Sequence, residues 1–261
     1  MTWIEAIILG FVQGLTEFLP VSSSGHLEIG KALLNINMEQ NLIFTVTVHG
    51  ATVLSTIVVF YSELIKLFKE GLVKKYNESS AYILKIILSM LPVLIVGLFF
   101  EERVAALFDG NLKFVGAMLV VTAILLGLTR LIRTEGQKRI PFGDAFIIGI
   151  AQAVAVLPGL SRSGSTIATG ILLGNKREDV ARFSFLMVLV PIIGANLLEI
   201  FRGEFSQSGE LSTPILIVGF LAAFITGIIA CKWMINLVKK GNLIYFSIYC
   251  LLLGISAIIF A

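Results

Sequence analysis

Two short polar segments interrupt otherwise apolar stretches of this sequence, and the first brings acid, hydroxyl and imidazole groups close together. Gln13 and Glu17 are four residues apart, which places them on one face of a helix. Pro20 prevents that helix from continuing, and the hydroxyls of Ser22–Ser24 can cap the next helix. His26 follows two residues later. Side chains of these types can hold a cation, supply a nucleophile or accept a proton.

The second polar segment is built around an arginine. Arg162 stands between Ser161 and Ser163, and Gly164 and Thr166 follow. Hydroxyls and amides that converge at the start of a helix form an anion site, and glycine lets the backbone approach a ligand closely. The guanidinium is a planar, permanently charged fork that suits phosphate. We therefore predict a phosphate-binding tip; the alternative is an arginine that pairs with a helix C-terminus.

The composition surrounding both segments is typical of a membrane protein. Hydrophobic residues make up 57% of the 261 residues and charged residues only 14%, with a mean hydropathy of +0.95. A soluble domain carries about 25% charged residues, so this chain could not cover a water-facing surface. The net charge of +3 comes from loop residues and gives no nucleic-acid signal. We expect no nucleic-acid partner, disulfide framework or cleavable signal peptide.

Six apolar runs are long enough to cross a bilayer, which takes about 20 residues. They are Leu42–Tyr61, Tyr82–Phe100, Phe114–Ile132, Ala181–Phe201, Pro214–Ile235 and Leu243–Phe260. Two further apolar stretches, Trp3–Leu34 and Phe142–Leu173, are divided by the polar segments into pieces too short to span. The pattern predicts an all-α polytopic membrane protein with six transmembrane helices and two re-entrant helix-loop-helix hairpins.

The two hairpin segments are similar to each other at a shift of 139 positions. Identical pairs include Gln13 and Gln152, Ser22 and Ser161, Ser24 and Ser163, and Gly25 and Gly164. Three spans follow each hairpin, and an odd number of spans inverts the second copy. We predict one integral membrane domain over residues 1–261, with an inverted-topology repeat of about 1–133 and 142–261. Paired interrupted segments of this kind point to a functional site at depth.

The two copies differ at the residues that can ionise. Val156 is opposite Glu17, Arg162 is opposite Ser23, and Ser165 is opposite His26. One half supplies acid, hydroxyl and imidazole, and the other supplies a guanidinium. The sequence therefore predicts one composite site rather than two equivalent ones. The alternatives are a snorkelling or interhelically bonded carboxylate at Glu17 and a packed, satisfied imidazole at His26.

The loop charges predict an orientation. Under the six-span prediction fifteen lysines and arginines lie on one side and four on the other, with Arg162 set aside. The positive-inside rule makes the richer side cytoplasmic. Both termini and the opening of the first hairpin then face the outside.

Three further features are weaker candidates. His49 could line the site or only pack against neighbours, and Glu199 lies near a span end, where a carboxylate needs no function. The loop Lys66–Lys75 is expected to face anionic lipid.

The motifs Gln13–Glu17, Pro20–His26 and Pro158–Thr166 resemble those of the undecaprenyl-diphosphate phosphatase family, also called bacitracin-resistance proteins. The resemblance covers essentially the whole chain. It implies a phosphatase of the bacterial cytoplasmic membrane that converts undecaprenyl diphosphate to the monophosphate and inorganic phosphate. This recycles the carrier lipid for peptidoglycan and other cell-wall polymers, and extra enzyme confers bacitracin resistance.

The resemblance also implies a divalent cation, Mg²⁺ or Ca²⁺, which we expect Glu17 to hold with help from Gln13. Arg162 is expected to bind the diphosphate, together with polar groups of both tips: Ser22, Ser24, Ser161, Ser163, Gly164 and Thr166. Ser23 is the candidate nucleophile and His26 its candidate base, with direct attack by water as the rival. The sequence leaves open whether the protein forms a homodimer. A transporter or flippase of a lipid-linked phosphate is the alternative function, because inverted repeats with broken helices are typical of transporters.

Overall fold

The computed structural model describes residues 1–34, 41–71, 76–107, 110–132, 138–201 and 212–260. Within these ranges the regular structure is helical, with one isolated bridge between Lys138 and Asn175. Four of the loop charges that predict the orientation lie outside the described residues: Lys74, Lys75, Arg133 and Arg202. The side chain of Glu199 also lies outside them.

Thirteen α-helices follow one another along the described chain. The first half contains α1 (Trp3–Phe18), α2 (Ser23–Leu34), α3 (Asn41–Val59), α4 (Tyr61–Gly71), α5 (Glu78–Phe99), α6 (Glu101–Ala105) and α7 (Leu112–Leu128), and α7 continues into a 3₁₀ turn at Thr129–Leu131. The second half contains α8 (Phe142–Val154), α9 (Arg162–Leu172), α10 (Arg177–Met187), α11 (Leu189–Phe201), α12 (Thr213–Lys240) and α13 (Ile244–Phe260).

Three helices are long and apolar enough to cross a membrane by themselves: α5, α7 with its 3₁₀ turn, and α12. Helices α3 and α4 meet at a bend of 72° and can count as a fourth span. Helix α13 is apolar but only 17 residues long. Side chains on these helices are exposed although apolar; Leu98, for example, is 77% exposed and Ile229 is 62% exposed. Such surfaces are suited to lipid, so the class of all-α polytopic membrane protein is confirmed.

The predicted span Ala181–Phe201 is not one continuous helix. It is divided at Val188 into α10 and α11. Pro191 explains the break, because proline has no backbone N–H to donate to the carbonyl of Met187, and its ring clashes with that carbonyl. Once a new helix begins at Leu189, Pro191 is its third residue. Proline costs no hydrogen bond there, because the N–H groups in the first turn of a helix have no acceptor within the helix.

Both polar segments lie between two short helices, as predicted. Leu19–Ser22 connects α1 to α2, and residues 155–161 connect α8 to α9. The flanking helices have 16 and 12 residues in the first pair and 13 and 11 in the second. None of the four reaches the length of about 20 residues that a span requires.

Each hairpin packs on the long helix of the other half of the chain. Helix α1 lies along α12, where Gly10 faces the Gly219 carbonyl without room for a Cβ atom. Helix α8 lies along α5, where Gly149 meets the backbone of Ser89 in the same way. Gly10 and Gly149 are equivalent in the 139-residue shift, and small residues let membrane helices approach closely. This reciprocal packing fits the proposed repeat, whose bounds stay a prediction.

The tip of the first hairpin is buried in the main apolar core. Phe18, Leu19 and Val21 belong to one buried cluster with Val115 of α7 and Ile167 of α9. The polar groups that leave the tip are therefore surrounded by packed side chains rather than by water. In such surroundings a polar group needs a partner in the protein or in a ligand.

Candidate active site

The two hairpin tips contact each other directly. The Ser163 hydroxyl donates to the Leu19 carbonyl at 3.2 Å, and the Gly159 amide lies 3.4 Å from the Ser24 hydroxyl oxygen. Gly25 lies so close to Gly159 that a Cβ atom on Gly25 would stand 3.2 Å from the Gly159 Cα. The tips thus form a single site at the boundary between the halves.

The carboxylate of Glu17 lies at the centre of this site, and the residue is 7% exposed. Its Oε2 accepts hydrogen bonds from Gln13 Nε2 at 2.9 Å and from the Ser23 hydroxyl at 2.8 Å. Its Oε1 pairs with Nη2 of Arg162. Acid and guanidinium therefore meet across the two repeats, as the composite-site prediction requires. A helix spacing of four explains the Gln13 contact, and the N-terminal position of Ser23 in α2 explains the other.

The remaining polar residues of the second tip hold its shape. Ser161 caps α9 by accepting from the Gly164 amide at 3.0 Å, and its own amide donates to Thr122 of α7 at 3.0 Å. Thr166 bonds the Arg162 carbonyl at 2.9 Å and lies 2.6 Å from the Ser184 hydroxyl of α10. These contacts fix the backbone on which Arg162 stands. The supporting roles of Thr122 and Ser184 could not be found from the sequence, because no motif marks them.

In the first tip, Ser22 has a positive φ of 69°, which non-glycine residues rarely adopt. Its hydroxyl accepts from the Gly25 amide at 3.2 Å and lies 3.3 Å from the Ser24 hydroxyl. The strained backbone follows from a connection of only four residues, which must reverse the chain directly after Pro20.

His26 does not contact Ser23. Its Nδ1 is 2.8 Å from the Ser22 carbonyl, which can only accept, so Nδ1 carries a proton. Its Nε2 is 2.7 Å from the Tyr249 hydroxyl of α13, and the two rings stack with centroids 5.6 Å apart. His26 and Ser23 are therefore not paired in this structure, and the role of His26 as a base stays a prediction. Both imidazole nitrogens are engaged elsewhere, and the Ser23 hydroxyl is directed to Glu17 instead.

A small cavity lies beside the Glu17–Arg162 pair. Its polar side also includes Thr52 and Thr56 of α3 and Ser184. Its apolar lining comes mainly from α10 and α11, on both sides of the break at Val188. A lining with both charged and apolar side chains suits an amphiphile with a charged head.

His49 of α3 also approaches the site. Its Nε2 lies 3.9 Å from Glu17 Oε2, and its Nδ1 lies 2.8 Å from the Thr45 carbonyl. His49 is on the same helical face as Thr52, Val53 and Thr56, which line the cavity. The sequence left His49 undecided between site and packing; the structure places it at the site.

The donor set fits a hard divalent cation. Glu17 contributes a carboxylate, and Gln13 is fully buried with an amide oxygen that has no hydrogen-bond partner. Carboxylate and amide oxygens are the ligands that Mg²⁺ and Ca²⁺ prefer. Within the described residues no group of three or more His, Cys, Asp and Glu side chains is placed to hold a metal ion, so an amide would have to complete the set.

A carboxylate, a serine hydroxyl and a guanidinium joined between two buried hairpin tips form a site suited to a phosphorylated ligand. The chain belongs to the family described as bacitracin resistance protein BacA, which it matches over residues 6–256. It is similar to proteins named undecaprenyl-diphosphatase. One from Bacteroides fragilis (strain YCH46) is 54% identical over 99% of this chain and 98% of the relative. One from Parabacteroides distasonis is 53% identical over 99% and 98%. A protein from Bacillus thuringiensis (strain Al Hakam), named undecaprenyl-diphosphatase 2, is 37% identical over 98% and 97%.

Proposed function

We propose that this protein is a membrane phosphatase that hydrolyses undecaprenyl diphosphate to undecaprenyl phosphate and inorganic phosphate, and so recycles the carrier lipid for cell-wall synthesis. The observation that carries the proposal is the ion pair between Glu17 and Arg162, which joins the two hairpin tips beside the Ser23 hydroxyl. The relatives named undecaprenyl-diphosphatase support the same substrate.

The substrate would bind with its diphosphate at the polar end of the cavity. Arg162 is the first residue of α9, so a phosphate that it binds also faces the positive end of that helix. The guanidinium can hold two phosphate oxygens at once, which fixes the orientation of the head group. The lipid chain would pass the apolar lining residues of the cavity and lie in the bilayer.

Ser23 is the best placed nucleophile. Its oxygen would form a bond to the terminal phosphorus while the bond from that phosphorus to the bridging oxygen breaks, and undecaprenyl phosphate leaves. The hydroxyl proton would pass to Glu17 Oε2, to which it is already hydrogen-bonded at 2.8 Å. Water would then release inorganic phosphate from Ser23. In the rival route, Glu17 orients a water molecule that attacks the same phosphorus directly.

Glu17 and Gln13 would hold a divalent cation, Mg²⁺ or Ca²⁺, whose charge would offset that of the phosphate oxygens. Arg162, on the opposite hairpin, would also offset the charge of the phosphate oxygens. Because phosphoryl transfer depends mainly on positioning and charge stabilisation, both partners are needed at once.

We further place the protein in the bacterial cytoplasmic membrane, with both termini and the first hairpin facing outside. A cysteine at Ser24 in a cysteine-free background should then react with a membrane-impermeant thiol reagent added to intact cells. A cysteine at Lys69, at the end of α4, should react only after permeabilisation. The reverse pattern would overturn the orientation and leave the phosphatase proposal intact.

The decisive experiment is phosphate release by the purified protein in detergent, with undecaprenyl diphosphate as substrate and mass detection of the monophosphate. Detergent micelles have no two sides, so a transporter or flippase would release no phosphate. An Arg162→Ala protein serves as control for contaminating phosphatase. A chelator should abolish release, and added Mg²⁺ or Ca²⁺ should restore it. Absence of phosphate release from folded protein would favour the transport alternative.

A further inference from the structure

His49 has a hydrogen-bonding arrangement that leaves one ring nitrogen directed at the site. The Thr45 carbonyl 2.8 Å from Nδ1 can only accept, so Nδ1 carries the proton in the neutral ring. Nε2 then has a free lone pair and lies 3.9 Å from Glu17 Oε2. In metal-binding histidines one ring nitrogen usually donates to a backbone carbonyl or a carboxylate, which orients the other nitrogen toward the metal.

The first half of the chain supplies three acceptor atoms that can serve as ligands. They are Glu17 Oε2, His49 Nε2 and the Gln13 amide oxygen, which is buried and has no hydrogen-bond partner. Glu17 Oε2 and His49 Nε2 are neighbouring acceptors, which repel each other unless a donor or a cation lies between them. The separation of 3.9 Å is too long for a hydrogen bond and leaves space for one small ion or one water molecule.

We propose that His49 is a further ligand of the divalent cation in this site, through Nε2, together with the Glu17 carboxylate and the Gln13 amide oxygen. The inference rests on the proposed phosphatase function and names a residue that no motif in the sequence contains. The imidazole replaces one hard oxygen donor by nitrogen. Nitrogen donors favour transition metals over Ca²⁺, so Mn²⁺ should be a better activator of this protein than Ca²⁺.

His26 is the matched control, because the chain has only two histidines. The Nε2 of His26 faces the Tyr249 hydroxyl at 2.7 Å, which donates to it in the neutral ring and leaves no lone pair for a cation. A nitrogen signal from bound Mn²⁺ can therefore be assigned by two single substitutions. Each replacement by glutamine keeps a polar side chain of similar length.

The experiment is pulsed electron paramagnetic resonance of Mn²⁺ bound to the full-length protein in detergent and nitrogen-free buffer. Wild-type protein should show electron spin-echo modulation from a directly bound ¹⁴N, and ¹⁵N-labelled histidine should change its frequencies. His26→Gln should keep the signal and His49→Gln should lose it. His49→Gln should also raise the Mn²⁺ concentration for half-maximal phosphate release by about tenfold or more.

Several outcomes would overturn the ligand role of His49. They are Mn²⁺ bound to the wild-type protein without histidine modulation, the same modulation in His49→Gln, or no Mn²⁺ binding at all. Phosphate release is measured on the same samples. Release from undecaprenyl diphosphate without a histidine signal would remove the ligand and leave the proposed function standing. A histidine signal without phosphate release would support the ligand role of His49 and contradict the proposed phosphatase function.

Discussion

Ser22 in the first hairpin tip and Ser161 in the second occupy equivalent positions, and both accept a hydrogen bond from the glycine amide three residues later. The distances are 3.2 Å to Gly25 and 3.0 Å to Gly164. Both second helices of the hairpins are therefore capped in the same way. The two tips share the groups that the backbone of a re-entrant hairpin requires.

The same tips differ in the groups that carry charge. Gln13 donates to Glu17, whereas neither amide atom of the equivalent Gln152 has a hydrogen-bond partner. The reason is that Val156 stands where the first half has its acid. A charge at membrane depth is expensive, and opposite charges offset each other when they meet. One acid in one half and one guanidinium in the other form one pair, which is cheaper than two separate charged sites.

Removal of the Ser23 hydroxyl should have the largest effect. Ser23 is opposite Arg162 in the repeat, so no group in the second half replaces it. Ser23→Ala should lower the turnover by on the order of 10⁴- to 10⁶-fold, as loss of a nucleophile or of its supporting group does in other enzymes. Excess cation should recover nothing. The measurement is phosphate release over a range of Mg²⁺ concentrations, with Ser24→Ala as the neighbouring hydroxyl control.

If the Ser23→Ala protein retains a tenth or more of the wild-type rate, Ser23 is not the nucleophile. That residual rate corresponds to a barrier increase of roughly 1.4 kcal/mol or less. Ser23 would then only position the phosphate, and the chemistry would pass to a water molecule oriented by Glu17.

Glu17→Gln should have the next largest effect and a different signature. The amide keeps the shape of the side chain but removes the carboxylate that would hold the cation and pair with Arg162. Turnover should fall by on the order of 10³-fold at low Mg²⁺, since a metal ion contributes several kcal/mol of charge stabilisation. Unlike Ser23→Ala, this variant should regain part of its activity at high Mg²⁺. An unchanged cation requirement would remove Glu17 from the cation site.

Arg162→Lys tests the other half of the pair. Lysine keeps the positive charge but cannot hold two phosphate oxygens in a planar fork. Turnover should fall by about 10²-fold, or roughly 2.7 kcal/mol of barrier, with little dependence on Mg²⁺. Circular dichroism and thermal unfolding in detergent should show that the variant is folded. Rates near those of the wild type would exclude the bidentate role.

Much of this comparison could be predicted from the sequence, because it depends on local rules. The turn after Pro20, the capping serines and the matching Gln13 and Gln152 are visible as residue types at fixed spacings. The meeting of Glu17 with Arg162 followed from their places in the two copies of the repeat. The structure added the partners and the distances.

The contacts that the sequence did not predict are long-range and unmarked by any motif. His26 is held by Tyr249, which is more than two hundred residues away, and a helix spacing cannot show which way its ring turns. His49 reaches Glu17 only through the packing of α3 beside the first hairpin. The break at Val188 depends on Pro191. The prediction of a single span over Ala181–Phe201 considered only the length of the apolar run and missed this break. For the two histidines tertiary packing, rather than local spacing, determines the outcome; the break has a local cause that a count of apolar residues does not detect.

The smallest expected effects distinguish the two equivalent glutamines. Methionine resembles glutamine in shape and carries no hydrogen-bonding amide. Gln13→Met removes the donor to Glu17 and one proposed cation ligand, so turnover should fall by about tenfold and the cation requirement should rise. Gln152→Met removes an amide that has no partner and does not contact the charged pair. Its turnover should stay within about twofold of the wild type, because no transition-state contact is lost.

Thermal unfolding in detergent completes the test of Gln152. An unpaired buried amide costs free energy, and its replacement by an apolar group of the same shape is neutral or stabilising. Gln152→Met should therefore raise the unfolding temperature by about 2 °C, which corresponds to a gain of about 1 kcal/mol. A lower unfolding temperature would mean that Gln152 has a partner, such as bound water. If turnover fell as well, the second copy of the glutamine would belong to the site, and the division of labour between the two tips would be less complete than the charges suggest.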